Sequence, residues 1–156
     1  MVIEDLLRLL KEHKVDFVII GATAFPVYGY VRATLDTDIF IRPERSNAEK
    51  TLAALKEFGY DMSDVTLDDL LTKKLLIRQY VVEADIHPYV KGTDFETVWR
   101  RKVEAEFGRT KVYFASLDDL IEMKRAAGRM KDLEDLKFLT KIREQVKNKN
   151  GTIRNS

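Results

Sequence analysis

Thr34-Leu35-Asp36-Thr37-Asp38-Ile39-Phe40-Ile41 is the stretch on which the reading of the whole chain turns. It sets two carboxylates two residues apart at the head of a β-branched, apolar run that reads as a strand. Side chains alternate across a strand, so Asp36 and Asp38 share one face while Thr37 and Ile39 take the other. Neighbouring carboxylates repel, and burying either without a partner is costly. A divalent cation relieves both problems. A lone D-x-D is common, however, and its ordinary place is a solvated edge strand or a turn whose aspartates cap backbone amides. Its neighbours have to decide.

Immediately upstream, Asp16-Phe17-Val18-Ile19-Ile20 is too short and too apolar for a surface helix and reads as a buried strand. Gly21 ends it. Ala22 to Tyr28 reads as a short helix in which Pro26 fits only the first turn, and Gly29 to Thr34 is the loop that delivers the chain to the aspartates. Amides exposed at a strand-to-helix turn suit a phosphate. Neither G-x-x-x-x-G-K-[ST] nor G-x-G-x-x-G is present. Further upstream, Ile3, Leu6, Leu7 and Leu10 recur at helical spacing, which predicts an amphipathic helix over residues 3–13.

Downstream, Arg42-Pro43 stops the aspartate strand. Ser46-Asn47-Ala48-Glu49 reads as a capping box opening a helix with Ala48, Leu52, Leu55 and Phe58 inward, closed by Gly59. A short helix is expected over 67–72. Leu75 to Val82 and Glu83 to His87 read as strand, as one or as two. Thr93-Asp94-Phe95-Glu96 is a second capping box, ahead of a helix carrying Trp99. Val103–Phe107 and Lys111–Ala115 flank Gly108-Arg109-Thr110 as a hairpin. Ser116-Leu117-Asp118-Asp119 caps a helix to about Ala127, broken at Gly128. A last helix over 131–146 has Leu136, Leu139, Ile142 and Val146 inward. Residues 1–147 form a single domain and 148–156 a polar, disordered tail. Strands alternating with helices argue for an α/β (α+β) domain with a central mixed sheet, flanking helices and a C-terminal helical pair.

Other residues join the aspartates. Asp85 shares a strand face with Glu83 and His87. Beside Asp36 and Asp38 it would complete a set of hard oxygen donors suited to Mg²⁺ or Mn²⁺. His87, just before Pro88, reads as a structural histidine. Lys124 falls in register with Leu117, Leu120 and Ile121 on the buried stripe of its helix, so its ammonium either snorkels outward or enters a polar cleft. Arg129, Lys131, Asp132 and Asp135 read as a charged helix start.

Composition sets outer bounds. The 156 residues, 45% hydrophobic and 34% charged, suit one globular domain with a sizeable core. A net charge of +1 gives no overall attraction to nucleic acid or anionic membrane, so an anionic ligand depends on a few local basic residues. The chain contains no cysteine, which excludes disulfides and thiolate metal sites. The absence of a long apolar run and of a signal-like start predicts a cytoplasmic protein with no membrane contact.

In combination, these motifs resemble the nucleotidyltransferase superfamily that includes DNA polymerase beta. They are most similar to its small prokaryotic branch, related to the minimal nucleotidyltransferases and to the transferases of type IV toxin–antitoxin systems. The likeness is carried by Ile20-Gly21-Ala22, then thirteen residues, then Asp36-Thr37-Asp38, then Asp85. The wording from Tyr28 to Asp38 and from Ser116 to Lys124, continued by Ala126 to Asp132 and Asp135, supports it. The resemblance implies the nucleotidyltransferase fold and a metal-dependent enzyme. Such an enzyme moves a nucleoside monophosphate from NTP to a hydroxyl acceptor, protein or tRNA, in a toxin–antitoxin-like setting with a protein partner. It implies that Asp36 and Asp38 bind metal and that Asp85 binds the catalytic metal and helps to activate the acceptor hydroxyl. Gly21, Ala22, Thr23, Arg32, Lys124 and Arg129 become the nucleotide contacts. Ala22 departs from the family's Gly or Ser and supplies no hydroxyl, a role Thr23 could fill. The alternative is a nucleotide-binding or toxin–antitoxin partner module with little or no catalysis.

Overall fold

The strand carrying the aspartates lies third in a six-stranded mixed sheet, and the elements around it follow from that position. The computed structural model describes residues 2–79 and 82–154, with side chains to residue 149. Helix α1 (Ile3–Glu12) leads into β1 (Phe17–Ile20), a 3₁₀ helix (Gly21–Tyr28) and β2 (Asp36–Ile41). Helices α2 (Arg45–Phe58) and α3 (Leu67–Thr72) precede β3 (Leu75–Ile77) and β4 (Glu83–His87). Then come α4 (Phe95–Arg101), β5 (Val103–Phe107), β6 (Thr110–Phe114), α5 (Leu117–Ala127) and α6 (Met130–Arg154). The sheet order is β3-β4-β2-β1-β6-β5. β2 runs antiparallel to β1 and parallel to β4, while β6 runs parallel to β1. The α/β class, the mixed sheet and the C-terminal helical pair are those expected from the sequence.

β1 is buried along its whole length, as its unbroken apolar run requires of a strand covered on both faces. Phe25, Phe40, Phe58 and Phe114 are fully enclosed between the sheet and its helices, with Leu6, Leu7 and Leu10 of α1 packed into the same core. Removing any of these large side chains would leave a cavity and cost about 3–5 kcal/mol.

Several local expectations are corrected. Ser46 does not cap α2, which begins at Arg45 behind Glu44, two residues earlier than such a cap would set it. Asn47 is instead used as a rivet. Its amide donates to the carbonyls of Asp16 and Arg42 (both 3.0 Å) and its Oδ1 accepts from the Asp16 N–H (2.7 Å), tying α2 to the start of β1 and the end of β2. Asp94, not Thr93, caps α4 by accepting from the Thr97 N–H. Pro26 lies deep in the 3₁₀ helix rather than in its first turn. Its fixed φ suits the 3₁₀ range, and in so short an element the lost donor removes a single bond. The choice left open for Leu75–Val82 and Glu83–His87 resolves to two strands, the first ending at Ile77. β3 and β4 are antiparallel neighbours, and Tyr80 and Val81 between them lie outside the described residues. Val146 is exposed rather than inward, and α6 runs from Met130 to Arg154.

Candidate active site

The sheet register builds the site. Asp38 is paired with Ile20 on β1 and with Asp85 on β4, and Asp36 is paired with Glu83. Parallel pairing therefore sets Asp38 and Asp85 side by side on one face, where two like charges repel unless something lies between or beside them. Asp85 is buried, with a side chain 4% exposed. Ligand atoms of Asp38, Asp85 and His87 all lie within 4.8 Å of one another, and this is the metal-capable cluster among the described residues. His87 Nε2 is 2.8 Å from Asp38 Oδ1. Asp36 lies outside that cluster, one step along the face, its carboxylate 3.2 Å from the guanidinium of Arg78. The three predicted acids thus share a face, while the compact donor set takes His87 in place of Asp36.

Gly21 has a physical reason to be glycine. Its φ is +68°, and a Cβ there would meet Asp38 Oδ2 at 2.4 Å. The β1 turn can therefore lie directly against the Asp38 carboxylate only without a side chain. The 3₁₀ helix that follows is pinned by Tyr28, whose hydroxyl donates to the Ala115 carbonyl at 2.6 Å. Burial, then Asp119 and Asp118, push the Tyr28 phenol up to about 12.

A cavity of about 570 Å³ opens over Asp36, Asp38 and Asp85, and its opposite wall carries Arg32, Lys124 and Arg129. Lys124 does not snorkel into bulk water. Only 14% exposed, its ammonium sits 3.1 Å from Asp132 and 3.2 Å from Asp135, two buried carboxylates on the first turns of α6. Arg32 grips Asp135 through two 2.8 Å bonds, joined by the Tyr30 hydroxyl at 2.8 Å. Arg129 grips Asp132 through its side chain (2.7 and 3.1 Å) and its backbone N–H (3.2 Å). Hydrogen bonding from Arg129, outweighing burial and helped by Lys124, holds Asp132 far below the usual carboxylate range. For Asp135 burial works upward, but Arg32, Tyr30 and Lys124 win and its pKa is lowered. Tyr30 stacks between Phe25 and Phe138, with ring centroids 5.3 and 4.9 Å apart, so the loop carrying Arg32 is fastened to the helical pair.

Gly21, Ala22, Arg32, Lys124 and Arg129 line this cavity beside the acids. Thr23 does not. It borders an adjoining, more apolar cavity that shares Ala22, Arg32, Thr34 and Asp36 with the first, and its hydroxyl is buried with no hydrogen-bond partner among the described residues. A third cavity, of about 420 Å³, meets the first at Gly21, Asp38 and Lys124 and adds His87, Tyr89 and Met123. Two chambers therefore touch at Asp38.

Lys74 and Arg78 went unremarked in the sequence, although both line the acid cavity. A signal was present: Lys74 and Arg78 flank β3 at alternating spacing with Leu76, which pairs with Asp85. Asp132 and Asp135, read as an ordinary helix start, are the buried anchors of the basic wall.

A mixed sheet presenting paired acids beside a glycine turn and basic side chains is the arrangement that the sequence resemblance to nucleotidyltransferases implies. Residues 1–146 match the model of the family described as nucleotidyltransferase of unknown function (DUF6036), and the chain belongs to that family. No curated protein matches it. Among the described residues no helix is long and apolar enough to cross a membrane.

Proposed function

We propose that this chain is a metal-dependent nucleotidyltransferase that moves a nucleoside monophosphate from an NTP to a hydroxyl on a protein or tRNA, releasing pyrophosphate. The observation that carries this reading is the register match of Asp38 with Asp85 under a cavity whose far wall is basic. Carboxylate oxygens are the donors Mg²⁺ and Mn²⁺ prefer, and His87 within the same cluster makes Mn²⁺ a good fit as well. Asp38 and Asp85 would hold the cation, with Asp36 next along the face. A bound divalent cation supplies neutralisation of the charge that develops on the phosphate oxygens.

The remaining work falls to the chain's own groups. Arg129 and Arg32 present guanidinium faces to the cavity while each is fixed by an aspartate, which suits them to orient a triphosphate without reorganising. The Gly21 turn lets backbone approach the ligand beside Asp38. Asp85 would accept the proton of the attacking hydroxyl. Two chambers that meet at Asp38 give room for a donor and an acceptor, which supports transfer between two substrates. The toxin–antitoxin-like setting, the protein partner and the cytoplasmic location rest on the sequence resemblance and on the expectations drawn from composition.

The test is incubation of the purified protein with cell extract, Mg²⁺ and each α-labelled NTP. A labelled protein or RNA band that disappears in Asp38→Asn is expected. No labelled product with any NTP, with either Mg²⁺ or Mn²⁺, would sink the enzyme reading in favour of a binding module.

A further inference from the structure

Arg78 follows directly after the edge strand β3 and reaches across β4 to the acids. One Nη donates to Asp85 Oδ1 at 2.6 Å, the other to Asp36 Oδ2 at 3.2 Å, and Nε is 3.8 Å from Glu83. At the other end of β3, the Lys74 ammonium is 3.8 Å from Asp85 Oδ2. Both oxygens of the buried Asp85 therefore face cations that flank one short outer strand. The Arg78 side chain is 42% exposed, and among the described residues its guanidinium bonds otherwise to the carbonyl of its own neighbour Ile77.

A divalent cation binds a carboxylate oxygen at roughly 2.0–2.2 Å. A guanidinium nitrogen hydrogen-bonded to that same oxygen would lie against the ion, with like charge and no water between them. Repulsion between the two like charges on one oxygen weakens each occupant in the presence of the other. We propose that Arg78 is a resident counter-cation of Asp85 and Asp36 that competes with the divalent cation and, once displaced, turns into the cavity to meet the triphosphate. This rests on the metal-dependent reading above. It makes metal and NTP binding mutually reinforcing, because the metal frees the arginine and the NTP gives the freed arginine a partner. A fixed arginine of the Arg32 kind, gripped by its own aspartate, could not behave in this way.

The probe is Mn²⁺, titrated into wild type, Arg78→Ala and Arg78→Lys and followed by the electron paramagnetic resonance of the free ion, with and without a non-hydrolysable NTP analogue. Arg78→Ala is expected to bind Mn²⁺ roughly tenfold more tightly than wild type without nucleotide, and to lose the gain in Mn²⁺ affinity that the analogue gives wild type. Arg78→Lys keeps the charge but loses the planar fork that reaches Asp85 and Asp36 at once, and is expected to fall between them. It also keeps the test alive if Arg78→Ala fails to fold. Equal or weaker Mn²⁺ binding in both variants overturns the competition while leaving the metal site standing. If no form binds Mn²⁺, with or without the analogue, the metal-dependent reading falls and this inference with it.

Discussion

Two groups of aspartates face each other across one cavity, and they are held in different ways. Asp132 and Asp135 have both oxygens filled. Arg129, Lys124, Arg32 and Tyr30 supply donors between 2.7 and 3.2 Å, and three cations serve two acids. Asp38 and Asp85, equally charged and set side by side by the sheet, each accept one short bond among the described residues, from His87 and Arg78. The first group is a cross-link that fastens loop 29–35 to the α5–α6 pair. The second keeps coordinating capacity in reserve. A buried acid pair does not by itself mark a ligand site. How far its oxygens are already satisfied does.

The largest effect expected from this contrast is catalytic. Asp38→Asn or Asp85→Asn should lower labelled transfer by roughly 10²–10³-fold, the scale of losing one charge-stabilising group. Their urea midpoints should stay close to wild type, since removing one of two facing carboxylates also removes repulsion. Unfolding of both variants would place these acids with the cross-link instead. Lys124→Met should do the reverse in kind. It removes the cation shared by two buried carboxylates, at a cost of about 3 kcal/mol in chemical denaturation. Gly21→Ala comes next. The left-handed backbone costs about 1–2 kcal/mol, and the new methyl must push the Asp38 carboxylate aside, so transfer should fall further than stability alone explains.

The smallest effect is on acid stability. Asp132 and Asp135 have lowered pKa values in the folded state. Their contribution is complete above the unfolded carboxylate value of about 3.9 and is lost as pH falls through the folded values. Wild type should therefore lose stability as pH falls below about 4, and Asp132→Asn, followed by thermal melts over pH 2–6, should lose less over the same interval. An identical acid limb in both would show that the cross-link does not carry it.

Much of this was legible in the sequence because it depends on periodicity. The alternation in Asp36-Thr37-Asp38 and Glu83-Ala84-Asp85 fixed which carboxylates share a face, and the i, i+3, i+4, i+7 spacing put Lys124 on the buried stripe of its helix while leaving open where its ammonium goes. What periodicity does not contain is pairing across the sheet. That Asp38 stands opposite Asp85, that His87 reaches Asp38, and that Arg78 on an edge strand spans two acids all follow from register between segments distant in sequence. The buried roles of Asp132 and Asp135 were hidden for a related reason. Acids in the first turn of a helix suit its dipole wherever they face, so the favourable local signal masked a tertiary one.

The most direct measurement is anomalous scattering from crystals grown with Mn²⁺ and a non-hydrolysable NTP analogue. A manganese peak between the Asp38 and Asp85 carboxylates, with the triphosphate reaching toward Arg129, is the expected result. A nucleotide bound elsewhere, or a peak lodged at Asp132 and Asp135 while Asp38 and Asp85 stay metal-free, would contradict the assignment of the two acid groups.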